Sequence, residues 1–127
     1  MPAPSCGSLC ASVPKKILAV SYDEALLRTR KMILEREGFA VSSARDLAEA
    51  ARACAGKSTF DLILLGHSIP RREKEEILSE VRRLCPSARV LSIRAHGEAQ
   101  VAQVDYSVSS HDGPEALISA VKQVLGS

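Results

Sequence analysis

At 127 residues, 46% apolar and 3% aromatic with no Trp, the chain suits one compact domain with an aliphatic core that needs no disulfide or metal staple. A net charge of +2, with no Lys/Arg block interleaved with aromatics, argues against nucleic acid as a partner. No apolar run nears the roughly 20 residues of a membrane-spanning helix, and the opening lacks the long apolar core of a secretory signal, so the cytoplasm is the expected compartment.

Met1–Pro14 is rich in Pro, Ser and Gly and reads as a flexible leader. Its Cys6 and Cys10 have three residues between them rather than the usual two of a zinc knuckle, and no role is assigned to them. The domain proper is expected from Lys15 to Gly126. Ile17–Val20 is a continuous apolar run, as in a strand buried on both faces. Ser21 to Glu24 has the spacing of a capping box, with Ser21 as the cap of a helix whose stripe is Leu26, Leu27, Ile33 and Leu34 and which ends at Gly38. Phe39–Val41 follows as a brief strand. Asp46 and Glu49 repeat the cap signature, Leu47, Ala50, Ala51 and Cys54 keep helical spacing, and Gly56 closes the element.

Leu62–Leu65 is the strongest strand signal and belongs in the middle of a parallel sheet. Pro70 then breaks the chain before a charged helix over Arg71–Arg83, whose apolar face is Ile77, Val81 and Leu84 with Leu78 and Cys85 beside it. Its remaining charges read as a solvated face with Glu–Arg pairs at four-residue spacing. Pro86 stops that helix and Val90–Ile93 makes the next strand. Glu98–Val104 has room for one or two helical turns only. Tyr106–Val108 is a fifth strand, and Asp112 with Glu115 frames a last helix, with Pro114 in its first turn and Leu117, Ala120, Val121 and Val124 as its stripe. The alternation predicts an α/β fold: a doubly wound, flavodoxin-like five-stranded parallel sheet with helices on both faces, the fourth helix short or absent.

Ligands of such folds sit beyond the carboxyl ends of the strands. The residues there are Ser21, Tyr22 and Asp23, then Gly66, His67 and Ser68, then Arg94 and Ala95, then Ser109, Ser110 and His111. The set is polar and mildly basic, with Asp23 its only carboxylate and with Arg71 and Arg72 nearby.

Three stretches, Lys16–Leu27, Asp61–Pro70 and Asp105–Leu117, resemble the motif regions of CheY-like response-regulator receiver domains in order and spacing, "DLILLGHSIP" most closely. The resemblance spans about residues 15 to 126 and implies the receiver fold. It also implies how each pocket position is filled. The acidic pair that holds magnesium in the family matches Ser21 and Tyr22, and the phospho-accepting Asp matches Gly66. The hydroxyl residue after the fourth strand matches Arg94, and the Lys-Pro after the fifth matches Ser109 and Ser110. Each position departs from the pattern, so the fold carries over and the phosphorylation chemistry does not.

His67 is expected to point away from the Gly66 side as packing or surface. His67, His96 and His111 stand on separate loops and are not expected to bind metal. Tyr22 is expected to fill the volume of the family's ion site. Arg94, at a strand end, must reach solvent or an anion. The expected function is that of a pseudo-receiver: an atypical module of a two-component or phosphorelay system that acts by phosphorylation-independent contact with a signalling protein. No catalytic residue, cofactor or metal is expected, and no nucleic acid or membrane; homodimerisation is left open. The alternative is a small-anion or nucleotide sensor built on Ser21, Arg94, Ser109 and Ser110. An enzyme is the least favoured class, since no glycine-rich loop follows the first strand and no nucleophile has a base beside it.

Overall fold

Strand β1 (Lys16–Val20) and strand β3 (Leu62–Leu65) are apolar almost throughout and pair side by side at the centre of the sheet, where both faces are covered. Around them the chain adds β2 (Ala40–Ala44), β4 (Arg89–Arg94) and β5 (Tyr106–Ser109), all parallel, in the order β2-β1-β3-β4-β5. Among the described residues, four helices connect or follow them: α1 (Glu24–Arg36), α2 (Leu47–Ala55), α3 (Arg71–Leu84) and α4 (Gly113–Leu125). The structure is a computed structural model, and it describes residues 15–56, 60–94, 104–109 and 113–125. The leader, most of the segment expected to hold a stunted fourth helix, and the Asp112 cap lie outside the described residues.

Strand alternation divides the core in two. Leu18, Val20, Ile63, Leu65 and Val90 pack on one face against Ala50 and Cys54 of α2 and Ile77 and Val81 of α3. Ile17, Ala19, Leu62, Leu64, Leu91 and Ile93 pack on the other against Leu27 and Leu34 of α1 and Leu117, Val121 and Val124 of α4. Parallel strands need crossovers, and these crossovers supply the helices that cover each face.

Local signals place the helix ends. Asp46 accepts from the Glu49 amide at 2.8 Å, as its spacing predicts. Gly38 ends α1 with a φ of +97°, and its N–H reaches Glu35 O at 3.0 Å. Ser21 is not the cap of α1. Asp23 is, accepting from Ala25 and Leu26 N–H at 3.0 and 3.2 Å, because its carboxylate offers the stronger acceptor two residues nearer the helix. Strand β2 also runs further than Phe39–Val41. As an edge strand it needs apolar residues only where it meets a helix, and Val41 and Ala44 suffice while Ser42 and Ser43 face solvent.

Candidate functional site at the carboxyl end of the sheet

The sheet changes direction of growth between β1 and β3, so the crevice that such folds use for ligands opens over Ser21 and Gly66. The Gly66 N–H donates to Val20 O at 2.8 Å, which locks the two strand ends together. Ser21 is buried, its Oγ accepting from Asp23 N–H at 3.1 Å and pairing with Ser68 Oγ at 3.0 Å. Its hydroxyl is thus spent inside the turn.

The space that a side chain at Gly66 would enter is already occupied. A Cβ there would lie 2.8 Å from Nη1 of Arg30 and 3.1 Å from Cβ and Oγ of Ser21. Arg30 reaches in from α1 and is only 8% exposed. Its Nη2 meets His67 Nδ1 at 2.9 Å. A guanidinium can only donate, so Nδ1 is the acceptor and the imidazole is neutral with its proton on Nε2. His67 therefore turns toward the Gly66 side, not away from it as strand alternation suggested: the strand ends at Leu65, and the turn after it frees residue 67 from the pleat. Burial draws the Arg30 pKa down, and the charge of Asp23 opposes that shift from a distance. No carboxylate among the described residues is within ion-pair distance of Arg30.

Tyr22 does not fill the crevice. It is 38% exposed and donates its hydroxyl to Glu73 Oε1 of α3 at 2.5 Å, tying the β1–α1 loop to the start of that helix. Its phenol pKa is raised to about 12 by partial burial and by the hydrogen bond and charge of Glu73.

A second interior cation comes from α3. Lys74 is wholly buried, and its Nζ donates to Ile93 O at 2.8 Å and Ser92 Oγ at 3.2 Å. It sits in the helix that sequence reading gave a solvated charged face. That face exists, in pairs such as Arg71–Glu75 and Arg83–Glu80. Lys74 lies off it, three and four residues before Ile77 and Leu78 and seven before Val81, which is the spacing of the buried stripe. The same spacing marks Arg30, between Leu27 and Leu34. That periodicity was the signal available for both cations.

Arg94 pairs in register with Ser109 across β4 and β5. Its Nε is buried without a partner among the described residues. By alternation it shares the α2–α3 face with Ser92, whereas Ile93 and Arg30 belong to the α1–α4 face. Strand β3 separates Ser21 from that pair, and Ser110, His96 and His111 lie outside the described residues.

A divalent cation does not fit this donor set. Magnesium takes hard oxygens in strict geometry, and here the hydroxyl of Ser21 is engaged, the phenol of Tyr22 faces Glu73, the Asp23 carboxylate caps α1, and a guanidinium adjoins Gly66. Among the described residues, no group of three or more His, Cys, Asp or Glu side chains could hold a metal ion. No helix among them is long and apolar enough to cross a membrane.

No family model matches the chain. Over 116 residues, covering 86% of the chain, it is 30% identical to the alginate biosynthesis transcriptional regulatory protein AlgB of Pseudomonas aeruginosa. It spans about a quarter (26%) of that relative's length. Among solved structures, a CheY-like response regulator receiver domain protein from Methanospirillum hungatei superposes with a TM-score of 0.77 at 27% identity, over 90% of this chain and 95% of that one. A chain from the adenylate cyclase of Rhodopirellula baltica reaches a TM-score of 0.80 at 21% identity, over 90% and 89% of the two chains, a likeness of fold alone.

Proposed function

We propose that this chain, a CheY-like response-regulator receiver domain, signals by protein contact without being phosphorylated itself. The carrying observation is the guanidinium at Gly66. Where receivers place their acceptor carboxylate, this residue offers no side chain, and a Cβ there would meet Arg30 Nη1 at 2.8 Å. An acyl phosphate needs a nucleophilic carboxylate, and none is present at that position. The loss of the carboxylates is matched by the arrival of a fixed positive charge. In relatives a phosphoryl group and its ion would organise the crevice; here Arg30 pairs with His67, and Ser21 pairs with Ser68. That arrangement favours a single conformation suited to constitutive binding of a signalling protein in a two-component or phosphorelay pathway, and it gives no support to an enzymatic role.

Intact-mass measurement after incubation with acetyl phosphate and Mg²⁺ tests the reading. The expected result is an unchanged mass. An acid-labile adduct of one phosphoryl group would overturn it and direct attention to Asp23 or His67.

A further inference from the structure

Beside the crevice, between α1 and α4, lies a cavity of about 220 Å³. Its walls are mostly apolar, from Leu26 and Ile33 of α1, Ile93 and Val108 of the sheet, and Pro114 and Leu117 of α4. Arg30 and His67 line it too, together with Thr29 and Ser109.

The energetics of Arg30 are unusual. Buried charges are ordinarily neutralised by a partner, since desolvating an ion costs several kcal/mol. Arg30 is more than nine-tenths buried, and its one side-chain partner among the described residues is a neutral imidazole. The guanidinium has five N–H donors, and among the described residues most remain for another acceptor. Asp23 offers only distant compensation, because it is exposed and its carboxylate is occupied by the α1 amides. A cavity whose cation is uncompensated among the described residues, set in an apolar wall, is complementary to a ligand with one anionic group and a hydrocarbon body. Inorganic phosphate matches it poorly: it would surrender hydration to apolar walls that return no hydrogen bonds. The N-terminal residues Gly113 and Pro114 of α4 also border the cavity, where the positive end of the helix dipole adds to the attraction. As to size, a dry cavity of about 150 Å³ accepts benzene, so this one suits a single ring or a chain of about six carbons plus a carboxylate.

We propose that the α1–α4 cavity binds a small amphiphilic monocarboxylate, with the carboxylate on Arg30 and the hydrocarbon against the side chains of α1 and α4. The site is independent of whether the domain is phosphorylated, so failure of one reading leaves the other standing.

The test uses the full chain, titrated with benzoate and hexanoate, with their neutral counterparts benzyl alcohol and hexanol, and with inorganic phosphate. Amide chemical shifts and thermal melting provide the readouts. The carboxylates should move the amides of Thr29, Arg30, His67 and Val108 in a saturable way and raise the melting temperature. The alcohols should bind at least about tenfold more weakly, and phosphate should leave those amides still. Arg30→Met should weaken carboxylate binding by at least about tenfold. Thr29→Trp, an exposed helix position at the cavity, should block binding while Arg30 stays in place. The proposal is overturned by no saturable shift at about 10 mM ligand, by equal binding of alcohol or phosphate, or by undiminished binding in Arg30→Met. If that variant does not fold, Thr29→Trp decides, and unchanged binding there overturns the proposal equally.

Discussion

Gly66 and Arg30 share one space: the strand end leaves it open, and the guanidinium from α1 fills it. Adding even a methyl group at residue 66 should be costly, although its nearest neighbour is flexible. The guanidinium of Arg30 can shift, but Ser21 Cβ and Oγ at 3.1 Å belong to a strand end fixed by main-chain hydrogen bonds. Gly66→Ala should therefore destabilise the fold by about 1 kcal/mol, the lower end of overpacking costs; denaturant melts that coincide with wild type would show the crevice to be looser than described. Tyr22 makes a second prediction at this scale. Its neutral form is favoured in the fold, with a pKa of about 12 against an ordinary value of 10. Its contribution is thus fully present below pH 10 and disappears as pH rises toward 12. Following phenolate absorbance, Glu73→Gln should lower the Tyr22 midpoint toward 10, since both the charge and the carboxylate acceptor are lost. An unmoved midpoint would mean that burial alone sets it.

Strands and helices were legible because each obeys a period. The four-aliphatic run of β3 allowed no other placement, and the Asp46 signature marked α2 correctly. The positions of Ser21, Gly66 and Arg94 at strand ends followed from counting along those runs. What a linear reading hid was the reach of long side chains. Arg30 and Lys74 look like surface residues by type, and only their place on the apolar stripe says otherwise. Arg and Lys carry enough methylenes to cross a helix–sheet interface and deliver charge to acceptors far away in sequence. Lys74 gives this consequence a measurable form in α3. Lys74→Ala removes a buried stem and leaves the Ile93 carbonyl and the Ser92 hydroxyl without its ammonium. It should cost about 2–4 kcal/mol, combining a cavity with stranded polar groups. Lys74→Met keeps the stem volume and should cost clearly less. Equal losses in urea melts would assign the whole effect to the ammonium, and no loss in either would place the side chain outside the core.

At the scale of the whole molecule, the two cations enter from opposite sides of the sheet: Arg30 from the α1–α4 layer and Lys74 from the α2–α3 layer. Both arrive near the same carboxyl edge, where the receiver fold elsewhere gathers acidic groups around a metal. On the proposed reading, the fold is retained while buried cations stand where carboxylates would hold a metal. That change predicts how the domain responds to magnesium, because an ion that binds only the native state stabilises it by mass action. Millimolar Mg²⁺ should leave the melting temperature of the natural chain unchanged. Restoring carboxylates at three places, Ser21→Asp, Tyr22→Asp and Gly66→Asp, should not suffice. The new carboxylate at residue 66 would begin beside Arg30 Nη1 and be neutralised by it, so the guanidinium would compete with the metal. Adding Arg30→Leu removes that competitor and should allow Mg²⁺ to raise the melting temperature saturably, by about 5 °C or more when the ion is in large excess over its dissociation constant. An equal rise in the triple variant with Arg30 intact would show that the guanidinium yields readily. In that case the missing carboxylates alone, and not the buried cation, keep this edge of the sheet free of metal.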